Sequence, residues 1–334
     1  MDIGLWKNKL SVSLDYYDKR TNGMLMTMSL PAYIGNDFPW GNVGNMRNSG
    51  FEFDITWKQQ LGDFGYSIGA NGSYNKNVLL KLGNDTGYQN LDGVHGTLGT
   101  ISRAENGEPF PFFWGYKTDG VFQSDVEAMA YVNDKGERLQ PDASAGDVKF
   151  VDVNNDGVIN DEDRVKIGKG MPDWTFGINL SASWKGIDLS ANFYSALGCD
   201  IFDATRRADY PLVNMQTYLL GRWTGPGTSN RLPKLTAEAD GGKNQNWRSS
   251  DLMVYDGSFL RLRNLTLGYT LPERWTRKML ISKLRIYVNA ENLFTLTSYH
   301  GMDPEISSGG TSLGIDKGVY PQSRTFSAGI NLTF

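Results

Sequence analysis

The sequence predicts an all-β chain, an antiparallel transmembrane β-barrel portion with long extracellular loops. Three observations predict it. Apolar residues recur at every second position in segments long enough to cross a bilayer as tilted strands, the connections between those segments alternate short and long, and aromatic residues gather at segment ends.

The segments run in order from Leu10 to Tyr16, then Phe51, Phe53, Ile55 and Trp57 set against Glu52, Asp54, Thr56 and Lys58, then Tyr66 to Tyr74. Trp174, Phe176, Ile178, Leu180, Ala182 and Trp184 alternate with Thr175, Gly177, Asn179, Ser181 and Ser183. Ile187, Leu189, Ala191 and Phe193 follow. The stretches Phe259 to Tyr269 and Leu284 to Phe294 begin in phase and lose it partway, which predicts a bulge or a change in what the wall faces. In the last segment Phe326, Ala328, Ile330, Leu332 and Phe334 share one face, and Ser327, Gly329, Asn331 and Thr333 the other. The total is about eight spanning strands.

Short links are expected near Gln60 to Asp63, at Lys185-Gly186 and between Leu271 and Ser282. Long ones are expected from Arg20 to Asn48, 77 to 173, Asp200 to Ser258 and Thr297 to Gln322. Outer-membrane barrels place short turns on the periplasmic side and long loops outside. A soluble sheet with one wet face explains any single alternating strand, but not this regular alternation of connection lengths.

Composition agrees. Aromatic residues make up 12 % of the chain and there are 39 glycines, a mix suited to strands and turns. The net charge of −4, without a basic block, excludes a nucleic-acid partner by the electrostatic criterion. No run approaches the ~18 apolar residues of a membrane helix. Cys199 is the only cysteine, so no intrachain disulfide and no thiolate cluster can form. The first residues lack a basic segment followed by an apolar core and cleavage site, so the natural beginning is expected to lie upstream.

One constellation carries chemistry. The stretch 152–163 has the ligand spacing of an EF-hand-type calcium loop: Asp152, Asn154 and Asp156 supply side-chain oxygens, Gly157 the sharp turn, Val158 a backbone carbonyl, Asn160 position nine and Asp163 position twelve. Asp163 stands where Glu is usual, which resembles the calcium loops of dockerin modules. The expectation is Ca2+ ordering a long external loop; the alternative is an Asx-rich turn that holds no metal.

Enzyme signatures are missing, so the chain is expected not to be an enzyme. His95 and His300 are the only histidines, and neither sits in a metal-binding pair. Phe110, Phe112, Phe113, Trp114 and Tyr116 could stack on sugars, with packing inside the loop the competing explanation. Nothing singles out substrate-binding residues.

The run Tyr255-Asp-Gly-Ser-Phe-Leu-Arg261-Leu-Arg-Asn264-Leu-Thr-Leu-Gly268-Tyr269-Thr-Leu-Pro272 resembles a signature of SusC/RagA-type TonB-linked outer-membrane proteins. So do Leu284 to Thr295, Gly301-Met-Asp303-Pro304-Glu305, Tyr320-Pro321 and Arg324 to Phe334. Upstream, Asp15 to Thr21, Gly50-Phe-Glu52, Gly115 to Gly120 and Gly146 to Phe150 match in the same order. The resemblance covers essentially the whole chain.

It implies the C-terminal strands of a larger barrel in the outer membrane of a Bacteroidetes-like Gram-negative cell, importing glycans, glycopeptides or peptides. It also implies TonB as energy source, a SusD-like surface lipoprotein as partner, and a terminal strand, with Phe326, Ile330, Leu332 and Phe334, that the barrel-assembly machinery reads. The family's plug, TonB box and earlier strands are absent from this sequence, so contact with TonB would run through the missing part. The alternatives are a complete small barrel and a soluble calcium-dependent surface binding protein.

Overall fold

The computed structural model describes residues 1–27, 39–91, 93, 98–206, 214–238, 242–277, 280–306 and 309–334. Its largest sheet has nine strands in chain order, each antiparallel to the one before: β1 (Asp2–Leu5), β2 (Leu10–Thr27), β3 (Trp40–Leu61), β4 (Phe64–Lys81), β5 (Trp174–Trp184), β6 (Ile187–Leu197), β7 (Phe259–Thr270), β8 (Lys283–Thr297) and β9 (Thr325–Thr333). The eight expected segments are β2 to β9. The sheet is an open curved wall; among the described residues β1 and β9 form its edges.

Register turns the alternation of each strand into rows across the wall. Leu10, Trp57, Ile68, Leu180, Ala191, Leu265, Ala290 and Phe326 stand opposite one another from β2 to β9. The polar residues between them form rows of their own, such as Lys58, Ser67, Ser181, Ser190, Thr266, Asn289 and Ser327. A slip of one residue would put every apolar side chain on the polar face, which is what fixes the register.

Tight turns reinforce it. Lys185 and Gly186 both have positive φ (48° and 87°), the two-residue turn whose twist matches that of the flanking strands. A Cβ on Gly186 would lie 2.6 Å from the Thr270 carbonyl oxygen, so the position admits only glycine without a shift. The phase loss expected in β7 and β8 is a bulge: pairing shifts between Asn192 and Phe193 on β6 and between Leu262 and Asn264 on β7.

Two expected boundaries are corrected. Residues 20–48 are not one long loop: β2 continues to Thr27 and β3 starts at Trp40. Likewise the connection expected at 77–173 starts only after Lys81. The ladder outlasts the alternation because backbone pairing needs no lipid boundary, whereas side-chain alternation is imposed by one.

The long connections after β4, β6 and β8 leave the same end of the wall, and their described residues pack into a cap. A four-stranded sheet orders Val165–Gly168, Phe112–Gly115, Ser102–Glu105 and Tyr88–Asn90, while Asp200–Asp203 pairs with Val254–Asp256 and Ile315–Asp316. Phe113, Phe202 and Ile315, from three separate connections, are essentially buried in one core. The Phe113 and Phe202 rings meet edge to face at 5.8 Å. Each buried phenylalanine contributes about 1.5–3 kcal/mol.

Candidate functional site: a two-faced wall and its loop cap

On the apolar face the large side chains remain exposed: Ile178 and Leu180 are each 38 % accessible and Ile330 63 %, among many others. An apolar band this broad on a sheet face is unstable in water and fits hydrocarbon. Aromatic rings close the band at both ends. Phe51, Tyr74 and Trp174 cluster at one end with centroids 5.0–5.5 Å apart, and Trp184 pairs with Phe64 and Ile187 at the other. From Trp174 to Trp184 the strand climbs about 34 Å at ~3.4 Å per residue, and a tilt of about 45° reduces this to ~24 Å, the height of an outer-membrane apolar belt.

The polar face carries hydrogen bonds between strands. Asn192 donates to Asn179 (2.6 Å) and Thr266 to Asn289 (2.8 Å). Arg285 on β8 spans β7 to reach Asp188 on β6 with two bonds, Nε at 2.9 Å and Nη2 at 2.5 Å. Near the cap Asp15 and Glu52 face each other across β2 and β3, beside Asp54, along a groove of about 360 Å³.

The cap is tied to the wall by charge. Arg261 is 2 % exposed and donates to Asp303 (2.5 Å) and Glu305 (2.8 Å), which holds the last long connection against β7. His300, the one histidine among the described residues, lies 3.1 Å from Asp203 and packs on Tyr218 and Tyr255. Burial pushes the Asp203 carboxyl up, but hydrogen bonds from His300 and Thr205 outweigh it and leave the pKa below the usual carboxylate value. His95 lies outside the described residues. Burial raises the Cys199 thiol to about 11, so it is protonated and inert at neutral pH.

Of the loop aromatics, Phe112, Phe113 and Tyr116 are buried in packing, and the Arg103 guanidinium covers Trp114 at 3.8 Å.

The stretch 152–163 folds into a loop knitted by its own side chains. Asp163 is fully buried; its Oδ1 accepts from the Val153 amide (2.8 Å) and its Oδ2 from the Asn160 amide (2.8 Å). Asn160 accepts from Glu162, Asn154 from Asp156, and Asp156 from Val158. Asp152 Oδ2 accepts from Gly157 (2.8 Å), while its Oδ1 is shielded from solvent and has no hydrogen-bond partner. Among the described residues no group of three or more His, Cys, Asp or Glu is placed to hold an ion, and the five expected side-chain ligands all accept backbone hydrogen bonds of the turn.

In β9, Phe326, Ile330 and Leu332 project from the apolar side and are strongly exposed, as is Phe334 one residue beyond the strand. One cavity was missed in the sequence: a hollow in the cap floored by Trp247 and rimmed by Leu220, Arg222 and Leu235. The adjacent Leu219-Leu220, apolar residues in a connection with no alternation to explain them, were the only hint.

The family described as "TonB dependent receptor-like, beta-barrel" matches residues 2–293. TonB-dependent receptor P3 of Formosa agariphila is 32 % identical over 347 residues, covering all of this chain and 33 % of the relative. TonB-dependent receptor SusC of Bacteroides thetaiotaomicron is 27 % identical over 341 residues, covering all of this chain and 31 % of SusC. Among solved structures, the RagAB peptide importer in its open-open state superposes with a TM-score of 0.76 at 27 % identity, over 99 % of this chain and 33 % of that one. The closed-closed state gives 0.76 at 28 % identity. The chain spans about a third of the length of these relatives. With its meander wall, its apolar belt and its long loops at one end, the chain belongs to the TonB-dependent receptor-like β-barrel family and is similar within it to SusC and RagA.

Proposed function

We propose that the chain forms part of the wall and the extracellular loops of an outer-membrane importer of oligomeric nutrients (peptides, glycans or glycopeptides), driven through TonB and closed from outside by a SusD-like lipoprotein. The observation that carries this is the two-faced wall: an exposed apolar belt about the height of a bilayer core backs a hydrogen-bonded polar surface. Similarity to SusC and to the RagAB peptide importer supports the transport role, and no catalytic step belongs to it.

A soluble calcium-dependent module is disfavoured, because it would leave the belt in water. The free edges at β1 and β9 set a condition on the membrane reading. Each unpaired backbone group in lipid costs several kcal/mol, so the wall functions only where further strands pair with both edges. Phe326, Ile330, Leu332 and Phe334 are assigned the signal that the barrel-assembly machinery reads.

The test is Leu180→Asp and Ser181→Asp in the full-length receptor, scored by outer-membrane insertion and nutrient-dependent growth. Loss of insertion in the first and normal insertion in the second is expected; equal insertion of both contradicts the membrane role.

A subsidiary reading concerns 152–163. The buried, unpartnered Oδ1 of Asp152 supports calcium there, with Asp152, Asn154, Asp156, the Val158 carbonyl, Asn160 and Asp163 as ligands. The ion would supply positive charge to that oxygen and hold the loop between Phe150 and Val165 in one conformation.

A further inference from the structure

The cavity under the cap residue Leu220 has a chemistry of its own. Its volume of about 260 Å³ lies just below the ~300 Å³ at which small-molecule sites begin, which suits one residue of a ligand and not a whole chain. Its walls are apolar: Met215, Leu219, Leu220, Pro233, Leu235 and the floor Trp247. Leu220 and Leu235 are 76 % and 49 % exposed, so the mouth is open and greasy.

Among the described residues every charged side chain lining it is a cation. Arg206 lies over the Trp247 ring at 3.1 Å; burial lowers its pKa to about 10, so it stays charged at neutral pH. Lys234 is held by Asp147 (3.1 Å), Ser144 and the Ala145 carbonyl. Arg222 is half-buried at the wall and makes no side-chain hydrogen bond or ion pair to any described residue.

An apolar hollow with an uncommitted guanidinium at its wall selects a ligand that is both greasy and anionic. A neutral sugar is matched only by the Gln216 amide and the Thr217 hydroxyl, without the carboxylate and open aromatic face that usually hold one. Among the described residues no acid lines this cavity, and the one aromatic face is covered by Arg206.

We infer that this cavity binds the C-terminal residue of a peptide, with an apolar side chain against Leu219, Leu220 and Leu235 and the free carboxylate on Arg222. The inference rests on the import reading and narrows its substrate class to peptides with an apolar free-acid end.

The experiment uses the full-length receptor in detergent micelles and a fluorescein-labelled Gly-Gly-Leu free acid, its C-terminal amide and maltotriose as probes. The acid is expected to bind saturably below millimolar concentration and the amide at least tenfold more weakly, the loss of a charge-assisted bond. Arg222→Gln should bring the acid to the level of the amide and leave the amide unchanged. Leu235→Glu, which sets an anion at the mouth, should weaken the acid by itself and so serves if the first variant fails to insert. Equal binding of acid and amide, indifference to both substitutions, displacement by maltotriose, or no binding of the acid overturns the proposal. Binding is read apart from transport, so import of another nutrient with no peptide binding would sink this inference and leave the import reading standing.

Discussion

Arg285 on β8 reaches across β7 to make a two-point ion pair with Asp188 on β6, and it does so over Gly268. A Cβ on Gly268 would lie 2.5–2.6 Å from the Arg285 nitrogens and from an Asp188 oxygen. Glycine is therefore the condition for a bond between strands that are not neighbours.

Gly268→Val is expected to break this pair by displacement and to destabilise the wall more than Asp188→Ala does. The pair is partly solvated, so Asp188→Ala should cost only about 1 kcal/mol. Urea unfolding of the full-length receptor in micelles checks the order; a valine variant as stable as wild type would show that the bond contributes nothing.

Arg261 is in the opposite situation. It is buried with Asp303, and Asp303 also accepts from the amides of Glu305 and Gln322. Arg261→Met leaves that carboxylate buried without its cation, at a cost of about 3–5 kcal/mol. The loop after β8 should then become the first site cut in limited proteolysis.

Asp203 sets the acid limit of the cap. Its folded pKa lies below the unfolded value, so its contribution is complete above the unfolded pKa of about 3.9 and is lost as pH falls through the folded one. The protection of the Phe202 and Ala204 amides, taken relative to their intrinsic exchange at each pH, should be high at pH 6 and fall below about pH 4. In Asp203→Asn that acid-dependent step should shrink; an unchanged profile would assign it to other groups.

Cys199 should resist alkylation. With its thiol raised to about 11, iodoacetamide at pH 7.5 is expected to label the folded receptor much more slowly than the urea-unfolded one, by mass spectrometry. Equal rates would place the thiol in solvent.

Calcium should protect the 152–163 loop. Protease cleavage between Asp152 and Asp163 is expected to increase on adding a chelator, and Asp152→Ala should be cut at that higher rate with or without calcium. Cleavage indifferent to calcium leaves the loop as the self-bonded turn built around Asp163.

The wall was legible in the sequence because two solvents write on it. Lipid on one side and water on the other force Ile178 and Asn179 to differ, and that contrast repeats through Ile330 and Asn331. The arms of β2 and β3 between Arg20 and Asn48 escaped notice because no such contrast acts beyond the membrane. The cap core was illegible for another reason. Phe113, Phe202 and Ile315 come from connections far apart in the chain, and no local period announces a contact made only in space. The same holds for Arg222 and Trp247 at the peptide cavity. The loop at 152–163 was located by its spacing, but spacing alone could not tell an ion's oxygens from those of a turn.

The most direct measurement places a fluorophore on single cysteines at Ile178, Leu180, Ile330, Asn179, Ser181 and Asn331 of a Cys199→Ala full-length receptor in liposomes. A lipid-borne quencher should extinguish the first three and a water-soluble one the last three. Ile178, Leu180 and Ile330 protected from both quenchers, or reached only from water, would contradict the account.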